Sequence, residues 1–153
     1  MRRRVLKSMW LVDVNSVWQG RPADAVKGTD MALRLLARTK ELLGDGTFWR
    51  ADVLAMSEFE TPCDPLSERA MYFSLAGAAA RARWEMREPL ADAEISPEHM
   101  RLIMNALFAV ARDYRGEVGG WRFACAVLDG MTSALEEYRV AQLGELQMRK
   151  NAA

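Results

Sequence analysis

The chain has 153 residues, half of them hydrophobic and 27% charged, with 21 bases balancing 21 acids. This is an ordinary globular balance on a chain long enough to fill a core without a disulfide or metal staple. Zero net charge speaks against general nucleic-acid binding, where phosphate neutralisation supplies much of the affinity.

The start carries Arg2, Arg3, Arg4 and Lys7. The apolar run behind them is broken by Lys7 and Asp13 and lacks a small-residue cleavage site, so it is not read as a signal peptide. No run approaches the length of a membrane span. A cytoplasmic protein with no membrane partner is expected. Within residues 1–18, Leu6, Trp10, Val14 and Val17 fit a helical stripe, while Leu6, Trp10, Val12 and Val14 fit one face of a strand. The β-branched content leans toward a short N-terminal strand or irregular arm, ended by Gly20, Arg21 and Pro22.

Thr29 reads as an N-cap with Asp30 in the first turn. Ala32, Leu35, Leu36, Thr39, Leu42 and Leu43 then recur at helical spacing, with Arg34, Arg38 and Glu41 opposite. Gly44 suits the helix end and Asp45-Gly46 a turn. Residues 47–56 fit either a short helix or an extended segment, and 57–65 a loop. The stretch from Glu41 to Asp64 holds six acids against Arg50 alone, usually the mark of a solvated face and less often of one that meets a basic partner.

A helix is predicted over 65–83, with Asp64 as cap and Pro65 at its first position. No charge occurs from Ala70 to Ala80, so the helix is expected to be buried on several sides. Ala70, Ser74, Gly77 and Ala78 would offer a small-residue face to another helix backbone. Gly77 costs about 1 kcal/mol of helix propensity against alanine, and close packing is the simplest compensation. A ligand cleft beside Ala70, Ser74 and Gly77 is the competing reading. Residues 87–95 read as an acidic connector containing Pro89.

Ser96, Pro97 and Glu98 signal another start, followed by the stripe Met100, Ile103, Met104, Leu107, Val110, Ala111 and Tyr114. Phe108 and Arg112 sit at its edge. Trp121, Ala124, Leu128, Met131, Leu135 and Tyr138 favour one long helix toward Arg149, with a restart near 132 as the alternative. The expected whole is a mainly α single-domain bundle of four or five helices, 1–153, around a buried Ala/Gly-rich central helix, with residues 1–22 as an arm.

Chemistry-bearing patterns are sparse. His99 with Cys63 and Cys125 does not make a zinc set. A Cys–His dyad lacks any flanking signature, and burial would keep Cys125 protonated. No phosphate loop, EF-hand loop or carboxylate pair stands out. No cofactor is expected. Three tryptophans adjoin arginine: Trp49-Arg50, Arg83-Trp84 and Trp121-Arg122. Both residue types are enriched at interface hot spots, although each tryptophan taken singly is more readily a core residue. Trp49, Arg50, Trp84, Phe108, Arg112, Trp121 and Arg122 are therefore the candidate partner-binding residues.

FWRADVLA at 48–55 and CDPLSERAMYFSLAGAAARA at 63–82, through Trp49, Pro65, Ser67, Ala70, Gly77 and Ala78, resemble an uncharacterised family of small helical domains in bacteria and phages. The family's tryptophan followed by Asn-Asp is not matched, because Trp121 precedes Arg122-Phe123. The resemblance implies a compact helical domain and brings no catalytic residues. The leading expectation is a non-catalytic protein-binding module, an inhibitor or adaptor of phage type that masks or joins an unidentified protein partner; a homodimer is an option. A small enzyme or small-molecule binder is the alternative, and weak nucleic-acid binding through the basic arm the second.

Overall fold

The computed structural model describes residues 18–94, 101, 105 and 120–152. The strand-or-helix question over 1–17, the basic arm, His99, Phe108, Arg112 and most of the stripe from Met100 to Tyr114 lie outside the described residues. Within them the chain is mainly helical. Its elements are α1 (Pro22–Leu43), β1 (Ala55–Ser57), β2 (Ala70–Phe73), α2 (Leu75–Glu85), α3 (Arg87–Asp92) and α4 (Gly120–Ala152). No helix among them is long and apolar enough to cross a membrane.

The first helix starts at Pro22, one full segment before the expected cap at Thr29. Proline at the first helical position loses nothing, because its missing N–H would have no intrahelical partner there. Thr29 is instead a buried interior residue whose hydroxyl donates to the Ala25 carbonyl at 2.5 Å. Thr39 does the same to Leu35 at 2.8 Å. Gly28 is accepted inside the helix because the Trp18 indole lies on it; a Cβ there would stand 2.9 Å from Trp18 Cη2. The stripe itself is as expected: Ala32, Leu35, Leu36, Thr39 and Leu43 are buried. Gly44 ends the helix with φ 57°, its amide donating to the Lys40 and Glu41 carbonyls.

The helix expected over 65–83 is corrected. Residues 65–69 form turns, Ala70–Phe73 is a strand, and the helix begins only at Leu75. β2 pairs antiparallel with β1, aligning Ala55 with Phe73 and Met56 with Tyr72, and a bulge near Ser57 shifts the next pair to Ser57 and Ala70. The signals that resembled a helix cap make side-chain turns instead. Asp64 Oδ1 accepts the Leu66 amide at 2.8 Å, and Ser67 Oγ accepts the Arg69 amide at 3.2 Å. The true cap is Ser74, whose Oγ accepts the Gly77 amide at 3.1 Å.

The Ala/Gly face of α2 is buried at Leu75, Gly77, Ala78, Ala79 and Ala82, as expected. The close approach at Gly77 comes from another source than a helix. The Leu54 carbonyl occupies the space of a Gly77 Cβ, with the carbonyl carbon 2.6 Å from that position. The same oxygen accepts the Ser74 amide at 3.3 Å.

The expected central position of the 65–83 helix is also corrected, because α1 is the helix that packs against both α2 and α4. α4 is continuous across 132, as favoured over a restart there. It runs antiparallel to α1: Lys40 pairs with Asp129 at 2.8 Å and Arg139 with Asp30 at 2.5 Å. Ala124, Leu128, Met131, Ala134 and Leu135 form its buried face. Burying each leucine contributes about 1.5–3 kcal/mol. The segment 87–92, expected as a connector, is the short helix α3, with Pro89 inside its first turn, where no backbone donor is needed.

Two glycine-to-alanine variants separate packing from propensity. Gly77→Ala must displace the Leu54 backbone and is expected to lower stability by about 1–3 kcal/mol, the usual cost of overpacking. At Gly144 no atom lies within 4 Å of an added Cβ, so Gly144→Ala is expected to raise stability by up to about 1 kcal/mol. Urea unfolding midpoints of the two variants measure both.

Candidate functional site

The expected anchor tryptophans fall into two groups. Trp49 and Trp121 come together at the C-terminal end of α1, where both are half-buried against the core. Trp121 Nε1 donates to the Gly44 carbonyl at 3.1 Å, and its ring covers Gly46, where a Cβ would stand 3.0 Å from Trp121 Cδ2. Trp49 Nε1 would stand 3.1 Å from a Cβ at Gly120. Left-handed backbone at Gly44, Gly46 and Gly120 lets the two indoles close on the turn. Both tryptophans are thus occupied within the chain. Arg122 beside them is exposed.

Trp84 stands apart, 37% exposed on α2. The Arg87 guanidinium lies 4.1 Å from its ring centroid and that of Arg81 5.2 Å. Arg81 also donates to the Pro65 and Ser67 carbonyls, at 3.2 and 2.9 Å, and to Glu85 at 3.1 Å. Arg38 of α1 grips the same carboxylate through Nε at 2.6 Å and Nη2 at 3.2 Å. This chain of charges ties the 65–69 turns to α2 and α2 to α1. Arg38 holds Glu85 below the usual carboxylate range, partial burial opposes that, and Arg81 adds to it.

Arg50 acts within the hairpin lobe. Its Nη2 meets Glu60 at 2.9 Å, Nη1 donates to the Trp49 carbonyl at 2.7 Å, and its Cζ lies 4.1 Å over the Tyr72 ring. Its amide donates to the Phe73 carbonyl at 3.0 Å.

Exposed apolar side chains that sequence reasoning passed over are Leu54, Phe59 and Leu66 on this lobe, and Val140, Leu143 and Met148 on α4; Met71, within the stretch expected to be buried, is exposed as well because it lies on the strand β2. For Phe59 the available signal was its isolation. It stands between Glu58 and Glu60 in a stretch with no apolar repeat to place it in a core.

The chemical inventory remains thin. No group of three or more His, Cys, Asp or Glu that could hold a metal occurs among the described residues. Cys63 and Cys125 are free and half-buried. Burial pushes the Cys125 thiol up, against the pull of Lys40, which keeps it protonated at neutral pH. The small-residue face proposed as a cleft is filled at Gly77 by the Leu54 carbonyl, and the Ser74 hydroxyl is committed to the Gly77 amide. No protein-family model, curated protein or solved structure matches the chain.

The Glu85 network carries a pH signature. A carboxylate whose folded pKa is depressed contributes stability above its unfolded value of about 4.3, and that contribution disappears as pH falls through the folded value. Glu85→Gln is expected to cost about 1 kcal/mol at pH 7, discounted for the partial exposure of Arg38. The gap between wild type and variant should close progressively below about pH 4.3. Urea unfolding at stepped pH checks it; a gap constant with pH would contradict the assignment.

Proposed function

We propose that the chain is a non-catalytic protein-binding module, cytoplasmic and of phage-related type, that masks or joins a partner protein from a helical-bundle scaffold. The reading does not draw on the helix expected over 65–83, part of which the strand Ala70–Phe73 replaces. One observation carries it: large apolar side chains stand in solvent on a frame that fills its own interior. Phe59 is 81% exposed and Leu54 55%, while Leu35, Leu36, Leu43, Leu128 and Leu135 are enclosed. A phenylalanine left this far in water forgoes about 1.5–3 kcal/mol that burial against a partner would recover. Trp84, clamped by Arg81 and Arg87, adds an aromatic–arginine pair of the kind enriched at hot spots.

The anchors are redistributed relative to the sequence expectation. Trp49 and Trp121 support the fold, and Trp84 is the tryptophan open to a partner. Immobilised wild-type chain is expected to retain a specific protein from an extract of the source cells. Phe59→Ala should weaken that retention with the unfolding midpoint unchanged, and Trp84→Ala should weaken it with a smaller loss of stability than Trp121→Ala, from the ring contacts of Arg81 and Arg87. Trp121→Ala should lower the midpoint by about 2–4 kcal/mol-equivalent of stability through the lost ring packing. Retention unaffected by both Trp84→Ala and Phe59→Ala would count against the reading.

A further inference from the structure

Four of the exposed large apolar residues, Leu54, Phe59, Leu66 and Met71, belong to the segment between Arg50 and Phe73. Phe59 is the most exposed of them, at 81%, and it is held out on an ordered loop. The Ser57 amide donates to the Thr61 carbonyl and the Glu60 amide to the Ser57 carbonyl, both at 2.9 Å. Glu60 takes left-handed backbone, φ 57°, and Arg50 pins its carboxylate while lying over Tyr72. Burying a phenylalanine contributes about 1.5–3 kcal/mol, and here the chain makes no use of it.

The same segment has a one-sided charge. From Arg50 to Arg69 the acids are Asp52, Glu58, Glu60, Asp64 and Glu68, all exposed, against Arg50 and Arg69. Arg50 is already paired with Glu60. We infer that Phe59 is the anchor of a docking surface for a protein whose face offers an apolar pocket rimmed by lysine or arginine. The inference rests on the protein-binding reading and specifies its partner. The backbone bonds of the 57–61 turn leave chiefly the freedom of the side chain itself to be lost on docking. With Glu60 and Arg50 offsetting each other, Glu58 beside the ring and Asp64 and Glu68 further along the segment set the sign of the rim, because like charges placed opposite them would be repelled and unlike charges speed encounter. Nucleic acid and anionic lipid carry the repelled sign.

The test places a photo-reactive benzoylphenylalanine at position 59 of the full chain and, as control, at Val140, which is 68% exposed on α4. After irradiation in the source cells, a protein adduct is expected from position 59 and not from 140, mapping to a surface rich in lysine and arginine. The captured protein, purified, should bind wild-type chain with a Kd that weakens steadily as salt rises from about 50 to about 300 mM. Phe59→Ala should weaken it about tenfold or more, as for a hot-spot side chain, with an unchanged unfolding midpoint. Glu58→Gln with Glu68→Gln, which leaves the Arg50–Glu60 pair intact, should flatten the salt dependence. An adduct within the chain or between two copies, an acidic captured surface, or salt-independent binding would overturn the inference. Adducts from 140 alone would overturn it while leaving the protein-binding reading standing; none from either position would remove both.

Discussion

A backbone-to-backbone contact sets the arrangement of this molecule. The Leu54 carbonyl lies where any side chain at position 77 would begin, and it accepts the Ser74 amide from the same strand-to-helix corner. Only glycine permits that approach. The contact fixes where β2 ends and α2 starts. It also seats the hairpin lobe on the helical frame, because Leu54 leads directly into β1. Ser74 completes the corner by capping the Gly77 amide. One oxygen and one hydroxyl thereby satisfy two of the donors that a helix start leaves open.

From that corner the rest of the frame follows. α2 lays its alanines on α1 with little side-chain entropy lost, and α1 turns its leucine stripe toward α4. The Arg38–Glu85–Arg81 chain then ties the turns before β2 back to α1. At the other end, Trp49 and Trp121 close the turn after α1. The frame encloses its leucines, leaving the buried Tyr138 hydroxyl without a hydrogen-bond partner among the described residues, and the lobe carries the exposed Phe59 and its flanking acids. The helices thus enclose the core, and the hairpin carries four of the exposed large apolar side chains.

The two long amphipathic helices were legible because periodicity is a local property: Leu35, Leu36 and Leu43, and Leu128, Met131 and Leu135, announce their faces unaided. The strand was hidden because its evidence is non-local. AMYF carries no β-branched residue and no alternation, and its partner AMS is three residues long. Asp64, Pro65 and Ser67 start a turn with the same chemistry that caps a helix, so the cap signal could not distinguish them. Gly77 was rightly read as a close approach, but the sequence does not say which backbone approaches. For the same reason the pairing of tryptophan with arginine could not say which ring stays open: Trp84 does, while Trp49 and Trp121 are half-buried beside glycines distant in the chain. The exposure of Phe59 was not legible because a lone aromatic in an acidic loop has no pattern to belong to.

Backbone chemical shifts over residues 64–86 test the central claim most directly. The account predicts extended-type Cα and Cβ shifts for Ala70–Phe73, a break at Ser74, helical shifts from Leu75 to Glu85, and slowed amide exchange at Ser74 from its bond to Leu54. Unbroken helical shifts from Pro65 through Arg83, with a rapidly exchanging Ser74 amide, would contradict it.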